Sequence, residues 1–167
     1  MNYKKISRKQ EKSVADEVEG KTVIASGALW GFKGDVRTDK WLIECKTTEK
    51  DYYTVTAKVW EKIAKEALKD HCREPMLVID LHNNPKERYV CFWQYLIDMD
   101  HTPGWLLDRI EYTAGEGSQF RFYGIPKHSV SMVSFLNSKK SAYHSVVIMR
   151  MKDFIRYDKE VLHYGFE

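Results

Sequence analysis

Residues 34–46 read Gly34-Asp35-Val36-Arg37-Thr38-Asp39-Lys40-Trp41-Leu42-Ile43-Glu44-Cys45-Lys46, and the fold is decided by how this stretch turns back on itself. Thr38-Asp39-Lys40 predicts a turn between two short strands. Successive side chains of a strand point to opposite faces. Trp41, Ile43 and Cys45 therefore share one face, and Leu42, Glu44 and Lys46 share the other. A carboxylate and an ammonium on an otherwise apolar strand need partners, because charge in partly buried surroundings is expensive unless it is paired. Asp35 adds a second carboxylate from the neighbouring strand, directly after Gly34, where the missing Cβ permits close approach.

Working outward, residues 7–19 predict a helix with Ser7 as cap, Val14 and Val18 as a narrow apolar stripe, and Gly20 as its stop. Residues 21–26, rich in β-branched side chains, predict a strand. Residues 27–33 form a glycine-punctuated loop carrying Trp30 and Phe32. Residues 54–70 predict the clearest helix, with Val55, Val59, Ile63 and Ala67 every fourth residue, Trp60, Ala64 and Leu68 beside them, and lysines and glutamates opposite. Trp60 is assigned to the core. The apolar run Met76 to Leu81 predicts a strand buried on both faces. A strand, a helix and a further strand imply a crossover connection and a mixed sheet.

Beyond Asn83-Asn84-Pro85 the pattern is weaker. Residues 89–99 and 119–123 read as strands, 102–104 as a turn, 129–136 as a strand or short helix, and 145–157 as a strand followed by a turn or helix. The expected organisation is one domain over 1–167, with a core over about 5–100 and a C-terminal extension over about 101–167 that extends the sheet, covers one face or mediates dimerisation.

The chain has 167 residues, 43% hydrophobic and 31% charged, with a net charge of +3. That length buries a core without disulfides. The three cysteines, Cys45, Cys72 and Cys91, are widely spaced and contain no CxxC, which disfavours a disulfide scaffold and favours a reducing cytoplasm, that of a host if the chain is phage-encoded. No signal-peptide run or 18-residue apolar stretch occurs, so no membrane partner is expected. The modest net charge hides a basic N-terminus: Lys4, Lys5, Arg8, Lys9 and Lys12 stand against the single acid Glu11, a cluster suited to phosphate.

Two carboxylates and a lysine suit a hard divalent cation and a phosphate. Mg²⁺ and Mn²⁺ prefer oxygen ligands. Asp35 and Glu44 supply two, the backbone carbonyl of Cys45 a third, and Glu11 on the first helix reaches the same place directly or through water. A bound cation would lower the pKa of water and neutralise charge developing on phosphorus oxygens. Lys46 beside it would orient the nucleophile, stabilise hydroxide, or act as acid or base. The other metal reading, zinc on His71, Cys72, His82 and Cys91, matches no standard ligand spacing.

Gly34-Asp35 followed by Ile43-Glu44-Cys45-Lys46 resembles the motif of the PD-(D/E)XK nuclease superfamily, with glycine in place of its proline. Over about residues 5–81 the chain looks most like the Holliday junction resolvases of archaea and phages: Lys5, Arg8 and Lys9, then Glu11, then Ser26-Gly27, then Asp35, Glu44 and Lys46. It departs at Ala25, which precedes Ser26 where an arginine often stands. The resemblance implies a restriction-endonuclease-like α/β core, a mixed central sheet flanked by helices. It also implies Mg²⁺-dependent hydrolysis of branched DNA at a four-way junction by a homodimer, with Mn²⁺ substituting. Glu11, Asp35, Glu44 and Lys46 would be catalytic, and Lys5, Arg8, Lys9, Ser26, Lys33 and Lys50 would contact DNA. The alternatives are a nuclease of the same core acting on other DNA in nicking, repair or restriction, and a DNA-binding protein without catalysis.

Overall fold

The computed structural model describes residues 3–23, 34–81, 87–125 and 129–162. Ser26, Trp30, Phe32, Lys33 and His82, named above, lie outside the described residues. Helix α1 (Tyr3–Glu17) precedes strands β1 (Lys21–Thr22), β2 (Val36–Arg37), β3 (Trp41–Thr48) and β4 (Tyr53–Thr56), then helix α2 (Ala57–Lys69) and β5 (Glu74–Leu81). The second half adds β6 (Arg88–Trp93), a 3₁₀ turn at Gln94–Leu96, α3 (Gly104–Leu107), β7 (Ile110–Ala114), β8 (Gln119–Phe122), β9 (Val130–Leu136), β10 (Tyr143–Arg150) and α4 (Met151–Tyr157). The architecture is mixed α/β.

Eight strands form one mixed sheet in the order β1-β2-β3-β5-β6-β10-β9-β7, and β4 pairs with β8 in a separate two-stranded sheet. The hairpin lies where the sequence places it: β2 and β3 are antiparallel with Val36 opposite Ile43. Thr38 closes the turn, its N–H donating to the Trp41 carbonyl at 3.0 Å and its hydroxyl accepting from the Trp41 N–H at 2.8 Å. From β3 the chain crosses over through α2 and returns as β5, parallel to β3, with Glu44 opposite Leu77 and Lys46 opposite Ile79.

Alternation along the strands divides the core into two layers. Trp41, Ile43 and Cys45 of β3 join Met76 and Val78 of β5 and Val90 and Phe92 of β6 against Val14 and Ala15 of α1 and Phe154 and Tyr157 of α4. Leu77, Ile79 and Leu81 face the other way, toward Trp60 and Ile63 of α2 and Val55, Phe120 and Phe122 of the small sheet. Strand β5 is thus covered on both sides, which is why its sequence is apolar without interruption. Trp60 is fully buried, as expected.

Five expectations are corrected. The first helix begins at Tyr3, so Ser7 lies inside it and bonds Glu11 instead of capping its start. Residues 54–56 belong to β4, not to the following helix. Thr56 caps α2, its hydroxyl accepting from the Val59 N–H at 3.3 Å, and Val55 buries from the strand. Leu68, read as part of the helix's apolar stripe, is 66% exposed. Gly20 does not itself supply the left-handed residue that ends α1. Glu19 does, at φ 55°, while the Gly20 N–H caps the Ala15 carbonyl at 2.8 Å. Glycine is needed at 20 because a Cβ there would stand 2.9 Å from the Arg37 carbonyl oxygen. The strand read over 89–99 stops at Trp93, where the chain enters the 3₁₀ turn.

Residues 129–136 are strand and 145–157 are strand then helix, within one residue or two of the expected bounds. Strand β10 lies between β6 and β9, so residues 101–167 contribute three strands to the same central sheet. Strand β7 had no counterpart in the sequence reading. It forms the far edge, parallel to β9, with most of its side chains exposed. Among the described residues, no helix is long and apolar enough to cross a membrane.

Candidate active site

The start of β2, the middle of β3 and one side of α1 bring Asp35, Glu44, Lys46 and Glu11 into one electrostatic neighbourhood. Asp35 is fixed by its backbone. Val36 is the register partner of Ile43, yet Asp35 donates its N–H to the Ile43 carbonyl at 2.8 Å, and its own carbonyl accepts from the Val23 N–H at 2.9 Å. This displacement from register lets the Asp35 side chain reach along β3, where Oδ2 accepts the Cys45 N–H at 2.7 Å. Gly34 makes it possible: its φ is 75°, and a Cβ would meet the Leu42 side chain at 2.7 Å.

Glu44 and Lys46 project from one face of β3, and the Lys46 Nζ donates to Glu44 Oε1 at 2.7 Å. Half-exposed pairs of this kind contribute about 0–1 kcal/mol, so the pair does little to hold the fold. Helix α1 is pinned beside them by Gln10, whose side-chain amide donates to the Lys46 carbonyl at 2.9 Å. The next residue, Glu11, is half-buried and accepts from the Ser7 hydroxyl at 2.8 Å. Lys5, Arg8, Lys9 and Lys12 are exposed on the outer face of α1, at the three- and four-residue spacing that makes helix neighbours.

The carboxylates crowd one another. Burial pushes the Asp35 carboxyl up to about 6; Glu44 adds to the rise, the Cys45 N–H opposes it, and Glu11 and Lys46 act more weakly in opposite senses. Burial alone would lower the Lys46 ammonium, but the hydrogen bond and charge of Glu44, with Tyr53 and Asp35, carry it above its ordinary value. Lys46 is therefore a firm cation in this environment. Burial raises the Tyr53 phenol, with Lys46 opposing and Glu44 adding. Burial, then Asp35 and Glu11, drive the Cys45 thiol far above its usual range. A buried thiol held in its protonated form is a weak nucleophile and a weak metal ligand.

The donor set fits a hard cation. Asp35 and Glu44 offer carboxylate oxygens, and the Asp35 carboxyl is raised first by burial and then by the charge of Glu44. In an extended strand the N–H and C=O of one residue point to the same edge, so the Cys45 carbonyl faces the same side as the N–H that Asp35 accepts. The groups are near but not convergent: among the described residues, no three of His, Cys, Asp and Glu are grouped as ligands. Asp35 is turned to the Cys45 N–H, Glu44 to Lys46 and Glu11 to Ser7.

Two residues of this site were not identified from sequence. Gln10 is 5% exposed, and its signal was its position four residues before Val14 on the apolar stripe of α1. Tyr53 carried no such signal, since its nearness to Lys46 depends on β4. Lys50, expected on DNA, lies beyond β3, exposed, with Nζ 5.2 Å above the Tyr52 ring. Comparison with family models, with characterised proteins and with solved structures finds no match to this chain.

Proposed function

We propose that the protein is a metal-dependent endonuclease with a restriction-endonuclease-like core, acting on branched DNA such as a four-way junction. The observation that carries this reading is the placement of Asp35 immediately before β2 and of Glu44 on the adjacent antiparallel β3, with Lys46 bonded to Glu44 and the Asp35 carboxyl raised to about 6 by burial and its acidic neighbours. The order α1, β1–β3, α2, β5, with β3 and β5 parallel across a helical crossover, supports the same core.

Asp35 and Glu44 would hold Mg²⁺, with the Cys45 carbonyl as a third ligand and Glu11 reaching it through water. When bound, the cation supplies an acidified water and neutralises charge on the scissile phosphate. Lys46, already cationic, orients the attacking water and stabilises negative charge developing on the phosphoryl oxygens. The exposed cations Lys5, Arg8 and Lys9 on α1 would bind DNA phosphates beside the site, and their contribution falls with salt. A junction cut on two opposed strands needs two such sites, which a homodimer would provide.

The test is cleavage of labelled four-way junction, nicked duplex and linear duplex, with Mg²⁺ or with EDTA. Paired cuts in the junction, dependent on Mg²⁺, are expected. Equal cutting of linear duplex would replace junction resolution with a nicking, repair or restriction role. Binding without any cutting would remove the catalytic reading.

A further inference from the structure

We infer that Tyr52 and Tyr123, flanked by Lys50 and Arg121, form a platform on which unpaired bases stack while their backbone enters the Asp35–Glu44–Lys46 site. The inference rests on the nuclease reading and names the part of the substrate that this surface takes.

The small sheet builds the platform. Tyr53 lies opposite Phe122 in the β4–β8 register, so Tyr52 and Tyr123 follow at the same end of the pair. Phe122 is 7% exposed and meets the Tyr89 ring edge-on at 4.8 Å. Alternation then turns Tyr123 outward, where it is 60% exposed. Its ring centroid is 5.5 Å from that of Tyr52. The buried side of β8 gives these rings a rigid base.

Two cations hold the rings in place. The Arg121 guanidinium lies 4.5 Å over the Tyr52 ring and donates to the Tyr123 hydroxyl at 3.5 Å. Lys50 donates to the Tyr52 hydroxyl at 3.3 Å. The same turn carries Glu49 and Asp51, so it offers no continuous positive track for a duplex backbone. It offers π-faces with local cations, the combination that suits single strands and tolerates any base. The platform is joined to the site by the chain: residues 49–52 connect β3, which carries Glu44 and Lys46, to β4. A branch point supplies unstacked bases; an uninterrupted duplex does not.

The test is fluorescence anisotropy in EDTA with labelled oligothymidine, splayed-arm DNA and blunt duplex, for wild type, Tyr123→Ala and Tyr123→Phe. Loss of one base–aromatic stack weakens binding roughly tenfold. That loss is expected for Tyr123→Ala on oligothymidine and splayed DNA, with duplex affinity unchanged, and Tyr123→Phe should retain wild-type binding. Circular dichroism of Tyr123→Ala checks that the exposed substitution leaves the fold intact. Equal loss on all three DNAs, or loss on none, would overturn the platform, as would failure of the wild type to bind the single strand. The same preparations are assayed for Mg²⁺-dependent junction cleavage. Wild-type cleavage together with a Tyr123→Ala variant that binds all three DNAs as the wild type does overturns the platform alone, whereas no wild-type cleavage overturns the nuclease reading with it.

Discussion

Helix α1 meets the central sheet twice, and the two meetings are built on opposite principles. Near its C-terminus, Arg88 of β6 closes a charge network. Its Nε and Nη2 donate to the two Asp80 oxygens at 2.7 and 2.9 Å, and its Nη1 reaches the Ser13 hydroxyl at 3.0 Å and the Glu17 carboxylate. Asp80 and Glu17 more than offset the burial that would otherwise lower the Arg88 guanidinium, and its pKa rises. Near its middle, Gln10 and Glu11 adjoin Asp35, Glu44 and Lys46, where carboxylates outnumber cations and Asp35 is held at about 6. In the first cluster one guanidinium bonds both carboxylates. In the second the Lys46 ammonium bonds Glu44, while Asp35 and Glu11 accept from a backbone N–H and a hydroxyl. Strained electrostatics of the second kind mark functional sites.

Exchanging the charge at each place should separate them. The largest effect is expected from Asp35→Asn or Glu44→Gln, each of which should lower Mg²⁺-dependent cleavage by at least ~10²-fold, the scale of removing one preorganised charge-stabilising group. Binding to the junction should persist, since neither residue contacts phosphate directly. Either variant cutting at a near wild-type rate would place the chemistry elsewhere. Next, Arg88→Met should destabilise by about 3 kcal/mol in urea unfolding, because it strands Asp80 at a partly buried position. A loss no larger than that of an exposed pair would show that the network is not closed.

The third effect has the opposite sign. Asp35 has a folded-state pKa of about 6, above its ordinary 3.8. The protonated carboxyl therefore favours the folded state below pH ~4, and this advantage is lost as pH rises to ~6. Asparagine carries no charge across that window. In EDTA, Asp35→Asn should match wild type near pH 4 and exceed it in melting temperature at pH 8. Equal melting at pH 8 would mean that Asp35 is not electrostatically strained. The smallest effect concerns DNA: replacing Lys5, Arg8 and Lys9 with alanine should flatten the salt dependence of binding, by roughly 0.9 in the log–log slope for each lost phosphate contact. An unchanged slope would remove α1 from the DNA-binding surface.

The hairpin was legible because local rules agree there: turn residues at Thr38-Asp39-Lys40, alternation through Trp41 to Lys46, and a glycine where the backbone needs a positive φ. Strand β5 was legible because burial on both faces leaves a continuous apolar run. Strand β4 was not, because Val55 falls four residues before Val59 and so joins a helical stripe by spacing alone. Thr56, the helix cap, was the local signal that the helix starts at Ala57, three residues further on than residue 54. Strand β7 was missed although Ile110, Tyr112 and Ala114 alternate with Glu111 and Thr113, because the run is only five residues long and lies exposed at the sheet edge. In the site, Asp35, Glu44 and Lys46 could be read from one hairpin. The displacement that sends Asp35 to the Cys45 N–H, the hold of Gln10 on Lys46 and the approach of Tyr53 depend on contacts between elements, which no local pattern records.

The central claim is that Asp35 and Glu44 share a divalent cation, and Mn²⁺ binding followed by electron paramagnetic resonance tests it without reference to any DNA. Titrating the wild type should remove the free Mn²⁺ signal with saturation, and Mg²⁺ should compete. Asp35→Asn and Glu44→Gln should each leave the free signal unchanged. Mn²⁺ taken up equally by both variants, or not taken up by the wild type, would contradict the account.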